Sequence, residues 1–347
     1  MRIGNFKETY ASDEAVFQTP TVRFWICVLF LALLIFPFLA NDYQLYMANL
    51  VGVAIVGAVS LNILTGFAGQ ISLGHAAFIG IGAYTAAIIA TRLDWPFLLC
   101  LPMSGLSAAF FGIIVGGPSM RMKGLYLCIA TLAAQVIFEF TFVHWESMTG
   151  GIRGLNLPPP KVFGISVDNE FKFYFITLAV VMIIVTVARN MFRNRVGRAF
   201  IAIRDRDISA EIMGINLFQY KMYAFGVSSF FAGIAGCLWV NFMRTVTPEH
   251  FPLMESVRYL AMIIVGGLGS ILGAIYGAIF MTLVPEILKN TLGLIAHQFP
   301  TAMSYLFPMQ EVVFGLLIVM FLVFEPHGLA EIWRRVKDYF RLWPFQH

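Results

Sequence analysis

The sequence predicts an all-α membrane protein: a polytopic helix bundle of about ten crossings (8–10), in two halves that each hold a glycine-broken hairpin. Three observations point there. First, of 347 residues 59% are hydrophobic and only 12% charged, whereas an average soluble domain is roughly half apolar and about a quarter charged. Second, apolar runs recur at 24–40, 44–64, 71–91, 97–117, 124–144, 172–189, 219–242 and 311–324, most of them near the roughly 20 residues a spanning helix needs. Third, glycines interrupt the apolar sequence at matching places in the two halves. A soluble enzyme, a disordered tail and a disulfide scaffold are excluded.

In chain order, residues 1–22 are polar and of mixed charge. The run from Phe24 to Leu39 has no small-residue cleavage site after it, so it reads as a retained span and not a signal peptide. Residues 23–189 make a first transmembrane half of about six spans. A loop at 190–218 follows, then a second half at 219–325 and a tail at 326–347. Arg189, Arg193, Arg195, Arg198, Arg204 and Arg206 form the densest basic stretch, and Arg334, Arg335, Lys337 and Arg341 crowd the tail. The positive-inside bias places both, the short turn with Arg121 and Lys123, and the N-terminus in the cytoplasm. An even number of crossings must then separate 218 from 326. Two solutions meet that parity: Val257 to Leu288 crosses twice around its glycines, the favoured one, or 292–308 crosses despite Pro300 and Pro308. No dense Lys/Arg run exists outside the membrane flanks, which excludes a nucleic-acid partner.

The glycine breaks are the first candidate functional region. In the first half, Gly66, Gly69 and Gly74 lie within Thr65–His75; in the second, Gly266, Gly267, Gly269 and Gly273 follow one another closely. Interrupted spans at corresponding positions mark transport sites, because broken backbone survives at membrane depth only where protein or water takes up its amide groups. Asn62, Thr65, Gln70, Ser72 and His75 cluster around the first break as candidate pathway residues. Gln135 and Glu139 share one face of the 124–144 span, and an acid at that depth is either a pathway residue or a hydrogen-bonded packing residue. Small residues at helix-packing spacing (Gly82, Ala86, Ala90; Gly112, Gly116; Gly269, Gly273, Gly277) serve intrachain packing or a subunit interface.

No metal or catalytic constellation is evident. Cys27, Cys100, Cys128 and Cys237 each lie in an apolar run without paired spacing. The chain lacks G-x-x-x-x-G-K-[ST], G-x-S-x-G and H-E-x-x-H. No cofactor is therefore expected in this chain, and any ATP that powers it must sit on partner subunits. The loop 190–218 carries a candidate short helix in which Asp207 caps, Ile208 and Ile212 share an apolar face with Met213 beside them, and Gly214 terminates. Such a helix docks into a partner groove or lies on the lipid interface.

Several motifs then combine. Leu64-Thr65-Gly66-Phe67-Ala68-Gly69-Gln70 runs into Ser72-Leu73-Gly74-His75-Ala76-Ala77-Phe78, and Gly197-Arg198-Ala199-Phe200 leads to Ala202-Ile203-Arg204-Asp205 and Ala210-Glu211-Ile212-Met213-Gly214. With Thr149-Gly150-Gly151, Val265-Gly266-Gly267-Leu268-Gly269-Ser270 and Phe324-Glu325-Pro326-His327-Gly328-Leu329, the chain from about 50 to 330 resembles the LivM-type permeases of branched-chain amino-acid ABC importers. The resemblance implies a bacterial inner-membrane permease. Its implied partners are a second, H-type permease, two ATPase subunits and a periplasmic binding protein. It implies that Arg204, Asp205, Asp207, Ile208, Ala210, Glu211, Ile212 and Gly214 belong to the ATPase-docking loop, although Ser209-Ala210-Glu211 departs from the importer pattern Glu-Ala-Ala-x-x-x-Gly. Segments 145–171 and 243–256 would face the binding protein through Arg153, Lys161, Asp168, Glu170, Arg244, Glu249 and Glu255. The rival readings are an ion-gradient transporter coupled through Glu139 or His75, and an intramembrane enzyme using the same pair.

Overall fold

The computed structural model describes residues 20–119, 125–162, 164–296, 306–325 and 327–342; Arg121, Lys123 and most of 292–308 lie outside them. The chain divides into two compact units, Met1–Tyr46 and Met47–His347. In the first, α1 (Pro20–Leu39) exposes Phe24, Trp25, Leu29 and Leu31, an apolar surface that lipid tolerates and water does not. The second helix, α2 (Asp42–Leu61), begins in the first unit and continues into the second.

The second unit is the helix bundle. From α2 the chain enters a π-helical turn (Asn62–Phe67), then α3 (His75–Arg92), α4 (Phe97–Ser119) and α5 (Leu125–His144). After a short helix α6 (Glu146–Thr149) and three two-residue strands, β1 (Leu155–Asn156), β2 (Lys161–Val162) and β3 (Ile165–Ser166), comes α7 (Glu170–Arg193). The 190–218 segment folds as α8 (Arg195–Asp205) and α9 (Asp207–Ile212). The remainder is α10 (Leu217–Met243), β4 (Thr245–Val246), α11 (Leu253–Gly266), α12 (Ile271–Ala296), α13 (Leu306–Phe324) and α14 (Gly328–Leu342).

Among the described residues six segments are long and apolar enough to cross a membrane alone: Asp42–Phe67, Phe97–Pro118, Tyr126–His144, Glu170–Arg193, Leu217–Met243 and Ile271–Lys289. A seventh arises if α13 and α14, bent by 46°, are one span. The figure of about ten is thus approximate, reached by adding α1, α3, α11 and α13. Between Val257 and Leu288 there are two helices around the glycines, so among the described residues four helices, an even number, separate the 190–218 segment from the tail. At 14 residues α11 is only about 21 Å long, short of the roughly 30 Å hydrocarbon core. The span expected at 71–91 starts at His75, because residues 68–74 are not helical.

The core forms around α10. Its Gly233 and Gly236 let α3 approach so closely that a Cβ at Gly236 would stand 1.9 Å from the Ile79 carbonyl oxygen, and one at Gly82 would meet Gly233 at 2.3 Å. Gly112 and Gly116 of α4 pack on Ser229 and Phe225 of α10, while Gly273 and Gly277 of α12 pack on α11. These glycines let the helices of the chain pack closely on one another.

At one end of this bundle β1 pairs antiparallel with β4, Leu155 opposite Val246 and Asn156 opposite Thr245, which ties the 145–171 segment to 243–256. Beside β4, His250 Nδ1 accepts the Thr247 backbone N–H at 3.2 Å, so it must be unprotonated. Burial holds this imidazole below its ordinary value of 6.5. A depressed folded-state value means stability present above pH 6.5 and lost as pH falls below it. Thermal denaturation of the purified protein between pH 7.5 and 5 should show a loss equivalent to one hydrogen bond, about 1 kcal/mol. In His250→Gln that acid-dependent component should disappear; an unchanged pH profile would assign it elsewhere.

Candidate functional site

The first break has two parts. In the π-helical turn the backbone skips one residue, Ala68 N–H donating to the Ile63 carbonyl at 3.2 Å; such bulges are frequent at functional sites. The chain then runs irregularly until α3 starts at His75, inside the protein. A helix start leaves several N–H groups without intrahelical partners, and here neighbouring helices supply acceptors. Leu73 N–H donates to Thr131 Oγ1 at 3.0 Å, Ala76 N–H to Ser256 Oγ at 2.8 Å and Ala77 N–H to Gln135 Oε1 at 2.7 Å. Ser72 Oγ accepts from Gly74 N–H at 3.4 Å. Gln135 also donates through Nε2 to the Phe251 carbonyl at 2.8 Å.

His75 is 1% exposed. Its Nε2 lies 3.1 Å from the Gly57 carbonyl and 3.3 Å from Ser60 Oγ. A carbonyl only accepts, so Nε2 carries the proton. Ser60 and Ser228 exchange hydrogen bonds, each hydroxyl donating to the other's carbonyl at 3.0 and 2.8 Å. The imidazole edge meets the Tyr259 ring. These contacts set a depth. Ser228 is the twelfth residue of the 27-residue α10, so at 1.5 Å per residue it lies about 17 Å from one end and about 22 Å from the other. His75, Ser60 and Ser256 share that mid-bundle level, and Glu255 is the residue before Ser256.

The second break, Gly267–Ser270, lies against the first. Asn62 joins them: its Oδ1 accepts Gly269 N–H at 3.0 Å and its Nδ2 donates to the Ser270 carbonyl at 2.9 Å. A Cβ at Gly66 would stand 2.5 Å from Gly269 N. Arg204 of α8 enters the same junction, Nη1 donating to the Gly66 carbonyl at 2.9 Å while Nε pairs with Asp205 at 2.9 Å. Two glycines make room for it. Gly69 (φ +67°) and Gly269 (φ +74°) are left-handed, and added Cβ atoms would stand 2.9 Å and 2.6 Å from the Arg204 side chain. Behind the junction, Gly328 at the start of α14 lies against Gly267 N. Thr65 Oγ1 donates to the Gln70 carbonyl at 3.1 Å. The Gln70 side-chain amide is buried at 3% exposure, and among the described residues neither of its polar atoms has a partner.

The residues singled out in the sequence therefore fall into separate groups. Asn62, Gly66, Gly69, Gly269 and Arg204 converge on the junction, with Thr65 and Gln70 beside it, while Gly267 packs on His327 behind it. Gly266 and Gly273 close-pack at the turn between α11 and α12. Ser72, Gly74, His75 and Gln135 build the buried start of α3. Glu139 joins neither; it is half-buried, with no hydrogen-bond or ion-pair partner among the described residues. Ser60, Thr131, Ser228, Ser256 and Arg258 were not singled out. Their only sequence signal is a polar group inside an apolar run.

Beyond Arg204 the 190–218 segment points outward. Ile208, Ile212 and Met213 are 66, 81 and 83% exposed, while Ala210 is buried. Asp207 is the first residue of α9 and not its cap; its carboxylate accepts the Ile208 N–H at 2.9 Å, and the N-cap is Arg206. Gly214, at φ +86°, ends the helix as expected. A recess of 470 Å³ opens beside it, lined by Glu211, Gly214, Phe218 and Lys221 among others. At the other end of this segment Phe67 stacks on Phe192, holding the π-helical turn to the junction of α7 and α8.

Comparison with known proteins agrees with this architecture. The chain is similar to the high-affinity branched-chain amino acid transport system permease protein LivM of Escherichia coli K12, 29% identical over 91% of this chain and 77% of that one. It is 21% identical to a probable branched-chain amino acid transport permease protein LivM of Methanocaldococcus jannaschii, over 80% of this chain and 90% of that one. It also matches the LivH permease protein of Salmonella typhimurium, 24% identical over 65% of this chain and 78% of that one. No solved structure matches it. The family model of branched-chain amino acid transport system permease components covers residues 43–322. This chain, a multi-pass membrane protein with two meeting helix breaks, belongs to that family of transport permeases.

Proposed function

We propose that the chain forms half of the translocation pore of an ATP-powered importer for branched-chain or other amino acids in a bacterial inner membrane. A second, H-type permease supplies the other half, a periplasmic binding protein delivers the substrate, and two ATPase subunits hold the ATP. Both termini and the 190–218 segment lie on the cytoplasmic side in this reading, and the β1–β4 end faces the binding protein. One observation carries it. Arg204 joins the segment with the exposed apolar helix α9 to the contact between the two broken helices. Movement of α9 by an ATPase subunit thereby reaches a junction at which the halves of the permease rock to open the pore alternately.

The exposed tip is the first test. Buried apolar anchors commonly contribute 2 kcal/mol or more to an interface, so Ile212→Glu should lower ATP-driven uptake about thirtyfold. Uptake into proteoliposomes should fall while the variant still inserts and folds. A bulky charged residue at Gly214 should act likewise, since it also opposes the left-handed backbone. Undiminished uptake in both would remove α9 from the ATPase contact. Co-purification of a second permease and two ATPase chains tests the assembly itself.

A further inference from the structure

The most unusual charges in the bundle are Glu255 and Arg258. They sit one helical turn apart on α11, Arg258 Nη1 donating to Glu255 Oε2 at 3.1 Å. Ser256 between them accepts the Ala76 N–H, which fixes both at the level of His75, about 17 Å and 22 Å from the ends of α10. At that depth a charge in hydrocarbon is strongly unfavourable, and ionisable groups face a water-filled path or another protein surface. Neither side chain is sealed in the core: 26% of Glu255 and 40% of Arg258 remain exposed. A surface salt bridge would explain nothing here, because such pairs contribute little, and apolar replacements would pack a lipid-facing wall better.

We propose that Glu255 and Arg258 form a recognition station for a zwitterion in the wall of the translocation pathway. An α-amino acid carries an ammonium and a carboxylate side by side, and this pair presents the complementary carboxylate and guanidinium on one rigid face. On arrival the pair opens, Arg258 donating to the substrate carboxylate and Glu255 accepting from its ammonium. Its own ion pair satisfies both groups while the path is empty, so the site never leaves a lone charge at membrane depth. The short helix α11 serves this arrangement. It ends at Gly266, at the turn that leads to Gly269, where Asn62 and Arg204 meet. The inference rests on the importer reading above and names the substrate class of its pore.

The test uses the whole complex, with both permeases and both ATPases, in proteoliposomes supplied with the leucine-loaded binding protein; radiolabelled leucine is the probe. Glu255→Gln and Arg258→Gln should each cut uptake about tenfold or more, the scale of one charge-assisted hydrogen bond to the ligand. The double variant leaves no orphan charge, so it keeps the protein folded while removing the station, and its uptake should be as low. The second permease should co-purify in unchanged ratio with every variant. Full leucine uptake by the double variant overturns the proposal. So does loss of the second permease from the purified complex, which makes the pair an intersubunit contact. If the unaltered complex takes up no leucine, the importer reading itself falls, and the station with it.

Discussion

Arg204→Ala should lower ATP-driven uptake by tenfold to about a hundredfold while the complex still assembles and hydrolyses ATP. The guanidinium makes one charge-assisted hydrogen bond into the junction, to the Gly66 carbonyl at 2.9 Å, and such bonds contribute about 1.5–3 kcal/mol. If that contact transmits movement of α8 and α9, its loss converts at about tenfold per 1.4 kcal/mol. The neighbours make the prediction specific. Lysine at 204 keeps the charge but has no fork with which to hold Asp205 and Gly66 together, so Arg204→Lys should be intermediate. Asp205→Ala leaves the Gly66 contact in place and should be mild, as an exposed ion pair contributes little. The measurement is ATP consumed per substrate imported. A ratio unchanged in Arg204→Ala would show that the docking segment acts through other contacts.

Gln135→Leu should destabilise the protein by about 2–6 kcal/mol. One side chain satisfies two buried backbone groups, the Ala77 N–H at 2.7 Å and the Phe251 carbonyl at 2.8 Å, and it is 1% exposed. Each group left unsatisfied costs about 1–3 kcal/mol. Water that could replace the lost partner is scarce at this depth. Ser256→Ala removes the acceptor for Ala76 and a long 3.4 Å donation to Gln135 Oε1, and should cost about 1 kcal/mol. Thermal denaturation of the purified chain in detergent distinguishes the roles. A Gln135→Leu protein of ordinary stability but slow transport would make Gln135 a pathway residue after all; a large fall in melting temperature makes it the structural cap of α3.

The two substitutions mark what sequence patterns reach. Gly66 and Gly269 stood out because glycine runs inside apolar sequence have few explanations, and helix breaks are one. That the breaks touch depends on Asn62 bonding across more than two hundred residues, which no local pattern carries. Gln135 and Glu139 looked equivalent by periodicity, one turn apart on a single helix. Their surroundings separate them: α3 and the Phe251 loop close over Gln135, while Glu139 stays half-exposed. Arg204 read as one cation among six in a basic loop. The glycines facing it admit its Nη1 to the junction. Asp207 had the residue type of a cap but sits one position inside its helix, a boundary set by backbone dihedrals and not by type.

By itself, then, the sequence determined the solvent, the helical class, the positions of most spans, both breaks, the short apolar helix of the 190–218 segment and the family. The family follows from the resemblance of its motifs; the rest follows from composition or short-range periodicity, because lipid imposes one rule on every residue in a span. The tertiary structure alone decided that the breaks meet, that Arg204 joins them, that Gln135 caps α3 and that Glu255 and Arg258 lie at mid-depth. The reason is physical. At membrane depth each freed backbone group and each charge needs a partner, and the partner comes from whichever distant helix the packing brings within 3 Å or so.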